Sequence, residues 1–87
     1  MTAEIVPLRP KPFDPVRVEI TSPGTQHGRP SYIVDFVEAD GGRSDIYMGV
    51  DSVEARAVAI FCGDDGMLPV LDLTGAEVVE IPTGAIH

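Results

Sequence analysis

The feature that most constrains this fold is a pair of strand-like segments joined by a short turn. Residues 32–39 (YIVDFVEA) are rich in β-branched and aromatic residues and carry apolar side chains on both faces. Residues 40–42 (DGG) have the residue types that tight hairpin turns need. In the following segment, residues 45–50, the apolar side chains expected on one face are Ile46, Met48 and Val50. The sequence therefore predicts an antiparallel hairpin whose first strand is central in a sheet or has its second face also partly covered.

Three further segments have the pattern of strands. Residues 16–22 (VRVEITS) alternate apolar and polar side chains, as a half-buried strand does. Residues 68–73 (LPVLDL) indicate a strand that begins near Pro69 or lies at a sheet edge, because proline cannot donate a ladder hydrogen bond. Residues 77–81 (EVVEI) indicate a last strand that ends before Pro82.

One segment, residues 52–62, favours a helix. Asp51 is in the position of an N-cap, with Ser52 as an alternative, and Glu54 has capping-box spacing from Asp51. Gly63 occupies the position expected for a left-handed C-cap. The run AVAIFC alone also fits a strand, but the two caps and the alanines favour a helix.

A helical wheel separates this helix into two faces. The larger apolar side chains define the expected core face: Val53, Ala57, Ile60 and Phe61. The small residues Ala55, Ala59 and Cys62 lie opposite. Alanine is harmless when exposed, but such a face also suits close packing on a partner or on a second copy of the chain.

The segment order is β-β-β-α-β-β, which predicts a small two-layer α+β domain. Short connections favour an antiparallel sheet of four to five strands, with the helix on one face. Residues 16–87 would form this single domain. Residues 1–15 contain four prolines and predict an extended N-terminal arm, in which Pro7 and Pro10 have the spacing of a proline-rich ligand.

Charge is unevenly distributed along the 87 residues, whose net charge is −8. Residues 1–43 carry six acids and five bases, whereas residues 44–87 carry eight acids and one base, Arg56. The acidic half disfavours direct nucleic-acid binding and favours a basic protein surface as a partner, although the charge also serves solubility. No apolar run is long enough for a membrane span, and the lone cysteine favours a cytoplasmic protein.

Motifs for catalysis, metals and nucleotides are missing from the sequence. Neither phosphate-binding glycine motif occurs. His27, Cys62 and His87 are too scattered for a metal site, so we predict no cofactor and no catalytic residue. Cys62 lies near the end of the predicted helix beside Asp64 and Asp65, which should raise its pKa and leave the thiol inert.

These observations favour a non-enzymatic protein-interaction module, and no motif indicates a family. A concrete form is an inhibitor or nucleic-acid mimic that binds a basic, nucleic-acid-binding protein, as a small phage-encoded antagonist would. An alternative is a homo-oligomeric accessory subunit, such as a homodimer. A less favoured one is a small enzyme or ligand binder that uses loop 23–30, with His27, Arg29 and Tyr32. The expected partner-binding residues are Asp64, Asp65, Asp72, Glu77, Glu80, Ala55 and Ala59.

Overall fold

The computed structural model describes residues 13–82 of the chain. In chain order its elements are β1 (Pro15–Thr21), β2 (Thr25–Gln26), β3 (Arg29–Pro30), β4 (Tyr32–Glu38), β5 (Arg43–Gly49), α1 (Ser52–Gly66), β6 (Val70–Asp72) and β7 (Val79–Ile81). Most of the predicted arm, including the Pro7 and Pro10 motif, lies outside the described residues. Pro15 is already the first residue of a strand.

A five-stranded sheet forms one layer and α1 forms the other, which confirms the predicted α+β fold class. The strand order is β5-β4-β1-β6-β7. Three of the four pairings are antiparallel, but β1 and β6 are parallel, with Val18 opposite Val70. The sheet is therefore mixed and not purely antiparallel. The physical reason is that α1 carries the chain from β5 across the sheet to β6, and such a crossover connection permits a parallel pair.

The segment predicted as loop 23–30 contains a small hairpin. Strands β2 and β3 pair here, and the turn between them is His27-Gly28, with φ angles of 53° and 76°. Two successive positive φ angles are the signature of the tight turn that matches strand twist. Behind the hairpin, the Ser31 amide donates to the Gly24 carbonyl at 2.9 Å. The long connection is thus an ordered extension of the β1–β4 pair.

A β-bulge in β5 changes which of its side chains face the helix. Val34 pairs with Tyr47 but Asp35 pairs with Asp45, so Ile46 is the extra residue. Ile46 and Tyr47 both pack against the core, whereas Met48 is 64% exposed. The prediction that Met48 shares a face with Ile46 is wrong, because the bulge breaks the strict alternation of the strand.

The N-terminal end of α1 is where the sequence predicts it, but the C-terminal end is not. The Asp51 side chain accepts hydrogen bonds from the amides of Val53 (2.9 Å) and Glu54 (3.1 Å), which confirms the N-cap. At the other end the helix continues to Gly66, and Met67 is the left-handed cap with φ 55°. Gly63 is therefore not the C-cap: it is buried within the helix.

The helix packs on the sheet through its small residues. Ala55 and Ala59 are fully buried in the core cluster, and Gly63 continues the same face one turn later. The sheet supplies the bulk: the strand residues of the core cluster are Val18, Ile20, Val34, Val70 and Ile81. Partly buried Tyr32 and Phe36 pack against them. Against such a surface, small helix residues permit close approach.

Candidate interaction surface

The outward side of α1 is the candidate functional surface. It is the part of the helix diametrically opposite the Ala55–Ala59–Gly63 stripe, by the 100° step of an α-helix. We call this surface the outer face of α1. Its residues, all exposed, are Val53, Glu54, Ala57, Phe61, Asp64 and Asp65.

The centre of the outer face is apolar. Val53 is 76% exposed and Phe61 is 72% exposed, and Ala57 lies one turn from each of them. The prediction that these three residues face the core is wrong; of the predicted set only Ile60 packs against it. Large apolar side chains grouped on the surface of a small domain are typical of protein-binding sites.

Acidic side chains accompany this apolar centre. Glu54 lies at the N-terminal end of the outer face, and Asp64 and Asp65 lie at its C-terminal end, about 15 Å away along the helix axis. The single base of α1, Arg56, lies to the side and its guanidinium is 3.9 Å from the Asp72 carboxylate. Among the residues of α1, the outer face therefore carries acidic charge only.

The structure does not bring the five predicted acidic site residues together. Asp64 and Asp65 share the outer face of α1. Asp72 is near the other end of the helix, where it contacts Arg56 and accepts from the Thr74 amide at 2.9 Å. Glu77 is exposed in the loop between β6 and β7. Glu80 pairs with Leu71 on the sheet face away from the helix.

The prediction that Ala55 and Ala59 bind a partner is corrected by their burial. Both are 0% exposed and pack against the sheet of the same chain. The small-residue face does pack closely on a second surface, as one interpretation of the sequence had it, but that surface is intramolecular. A partner cannot reach these two residues while the domain is folded.

The residues of the loop hypothesis do not converge on one pocket. His27 and Arg29 are exposed on the β2–β3 hairpin. Tyr32 instead lines a cavity of about 150 Å³ at the N-terminal end of α1. The other residues that line this cavity are Ile20, Ser52, Val53, Arg56, Asp72 and Thr74.

Cys62 is half-buried beside the core. Burial raises the pKa of its thiol, and the negative charge of Asp65 raises it further. This direction agrees with the sequence-based expectation and does not favour the nucleophilic thiolate. Among residues 13–82, no three His, Cys, Asp or Glu side chains are grouped so that they could hold a metal ion.

A cluster of charged side chains lies on the sheet face away from α1. Glu19 and Asp35 are cross-strand neighbours, and they are only 4% and 5% exposed. The Glu19 carboxylate accepts hydrogen bonds from Arg17 and Arg43, both at 2.5 Å, and Arg43 also donates to Asp35 Oδ2 at 3.3 Å. With Asp45, which is paired with Asp35, these residues form what we call the charged cluster.

The two buried acids of the charged cluster differ in protonation. Burial would raise the pKa of Glu19, but the hydrogen bonds and positive charges of Arg17 and Arg43 outweigh it, and the pKa is lowered from 4.5. For Asp35, burial and the neighbouring Asp45 carboxyl raise the pKa from 3.8 to about 6. Glu19 is thus held as an anion, whereas Asp35 is held closer to its neutral form.

The sequence contained only a partial signal for these features. The burial of Asp35 was not predicted, and the signal that could have shown it is an acid in a strand with apolar residues on both faces. The facing of Asp35 and Asp45 depends on the bulge, which no residue pattern predicted. The exposure of Phe61 depends on which helix face the sheet accepts, and a helical wheel does not contain that information.

Comparison of the chain with protein-family models, curated proteins and solved structures finds no match. In the described residues, α1 is the one helix, and it lacks the length and apolar character of a membrane span.

Proposed function

We propose that this chain is a non-enzymatic interaction module whose outer face of α1 binds a basic, amphipathic segment of another protein. The carrying observation is the exposure of Val53 and Phe61 beside Glu54, Asp64 and Asp65. An apolar centre with charge around it is the usual anatomy of a protein interface. A fitting partner offers an apolar side for Phe61 and basic side chains for the acids.

Charge favours a foreign basic partner over a second copy. Residues 44–87 carry eight acids and one base, so two copies joined through α1 would bring like charges together. A basic segment would instead be attracted, and its association would be accelerated at low salt. The narrower version, an inhibitor that occupies the nucleic-acid-binding surface of its partner in the cytoplasm, rests on the same charge argument.

We propose a non-enzymatic module because neither His27 nor Cys62, the two nucleophile or base candidates of the sequence, is placed for catalysis. His27 is exposed on a hairpin turn, and the raised pKa of Cys62 does not favour its thiolate. General-base and nucleophilic catalysis need groups positioned beside a partner that tunes them.

The test uses a defined probe, an amphipathic helical peptide of leucine and lysine, titrated into the isotope-labelled protein. We expect chemical-shift changes centred on the outer face of α1. Phe61→Ser should weaken binding about tenfold or more, since burial of a Phe side chain is worth about 1.5–3 kcal/mol. Added salt should also weaken it. Met48→Ser is the matched control, because Met48 is exposed but lies on another face.

Three outcomes would overturn the proposal. One is equal binding of a peptide in which glutamate replaces lysine. A second is equal affinity of the Phe61→Ser and native proteins. The third is a dimer in light scattering that dissociates on Phe61→Ser, which would assign the outer face to a second copy and favour the accessory-subunit alternative.

A further inference from the structure

One buried polar atom in the charged cluster has no hydrogen-bond partner in the described structure: Asp35 Oδ1. The Asp35 residue is 5% exposed, so water does not easily replace the missing partner. Its other oxygen, Oδ2, is occupied by Arg43 at 3.3 Å. An unpaired carboxylate oxygen in such a place is costly, unless a proton converts the group into a donor.

The register shows which group faces Asp35. The bulge at Ile46 sets Asp45 directly opposite Asp35, and the two carboxyl groups interact across the β4–β5 ladder. Asp45 is exposed, so a proton on the pair can exchange with solvent. Two carboxyls at such a site can share one proton, whereas two carboxylates repel each other.

The other charged groups around the pair already have hydrogen-bond or ion-pair partners. From β1, Glu19 faces Asp35, but both of its oxygens accept hydrogen bonds from Arg17 and Arg43. From β5, Arg43 is divided between Glu19 and Asp35. The helix α1 packs on the opposite side of the sheet. Among the described residues, Asp45 is therefore the charged group left to hydrogen-bond with Asp35 Oδ1.

We propose that Asp35 and Asp45 form a proton-sharing pair that makes the attachment of strand β5 to β4 sensitive to pH. When the pair holds a proton, an O–H group of one carboxyl donates to the other and joins the strands. When the O–H bond breaks, the proton passes to solvent water and two anions face each other at the bulge. Among the described strands, β5 lies at the sheet edge and β4 is its single ladder partner.

This device is independent of binding at the outer face of α1. It predicts that β5 opens more readily as the pH rises above the midpoint of the pair. Because Asp51 lies two residues beyond the end of β5 and caps α1, the N-terminal end of the helix should respond with it.

Carbon-detected NMR of the side-chain carboxyls in the whole chain tests the proposal first. Asp35 should titrate with a midpoint near pH 6. Asp45→Asn should lower the Asp35 midpoint by about one pH unit or more, because an amide carries no charge. Asp64→Asn, an exposed acid on the outer face of α1, is the matched control and should leave the midpoint unchanged. An Asp35 midpoint below pH 5 in the native chain would overturn the proposal, even if the variant failed to fold.

Amide hydrogen exchange then tests the consequence for β5. After correction for intrinsic rates, the amides of β5 should exchange about fivefold faster at pH 7.5 than at pH 5, while those of β1 keep one rate. In Asp45→Asn this difference should vanish. Equal corrected rates for β5 at the two pH values in the native chain would contradict the device.

Discussion

The two sides of strands β1 and β4 are buried almost equally but by different forces. Toward α1, Val18 and Val34 are fully buried among apolar side chains. On the other side, Glu19 and Asp35 are 4% and 5% exposed and are held by arginines and a neighbouring acid. The apolar side depends on shape and volume and is indifferent to pH. The stability of the charged side depends on its ion-pair partners and on protonation. Equal burial therefore makes one side sensitive to changes of side-chain volume and the other to loss of a partner or a change of pH.

The largest effect is expected on the apolar side, from Ala59→Arg. Ala59 has no exposed area against the sheet, so the substitution would bury a long charged side chain without a partner. We expect a loss of about 4 kcal/mol or more in unfolding free energy, or an unfolded chain. Ala57→Arg, two residues away on the outer face of α1, should change stability by less than about 0.5 kcal/mol. Urea unfolding followed by circular dichroism measures both; equal stability of the two variants would refute the assignment of the helix faces.

A smaller, pH-dependent effect is expected on the charged side, from Glu19→Gln. The folded-state pKa of Glu19 is lowered from 4.5, so its charge contributes stability above that pH and loses it as the pH falls. The variant should be less stable than the native chain by about 1 kcal/mol at pH 7, and this difference should shrink as the pH falls below 4.5. Asp35 has the opposite sign: its raised pKa means that its contribution falls as the pH rises from about 4 to 6.

Unfolding curves at several pH values test the Glu19 prediction. Glu77→Gln, an exposed acid in the β6–β7 loop, is the control and should follow the native curve throughout. A stability difference for Glu19→Gln that is as large at pH 3 as at pH 7 would mean that packing, and not charge, holds this side chain.

The smallest effect on stability is expected at the surface, from Phe61→Ser. Phe61 is 72% exposed, so its removal should change the unfolding free energy by no more than about 0.5 kcal/mol. Val18→Ala, which shortens a fully buried side chain, should cost about 2 kcal/mol. Thermal unfolding compares the two. A large loss for Phe61→Ser would show that this ring is part of the core and would remove the basis of the binding surface.

Sequence patterns predicted the element order well and the side-chain facing poorly. The hairpin at residues 40–42 and the Asp51 cap depend on local chemistry, and both are present. The core face of the helix was predicted from the size of Val53 and Phe61. This predicted core face is wrong because the sheet already fills the interface with bulky side chains. The space that remains fits small helix residues such as Ala55 and Ala59.

The candidate surface could be predicted only in part for the same reason. Asp64 and Asp65 were placed on an exposed acidic surface from their position after an apolar run, and they are exposed. Asp72 and Glu80 belong to other parts of the fold, since sheet register decides where a strand residue points.

By itself the sequence determined the number and order of the main elements, the acidic half and the start of α1, because these depend on neighbours along the chain. The tertiary structure alone decided that β1 and β6 are parallel, that α1 continues to Gly66, and that Phe61 faces outward. It also set Asp35 against Asp45 through a single bulge. These features depend on contacts between distant segments, where packing volume and strand register outweigh local preference.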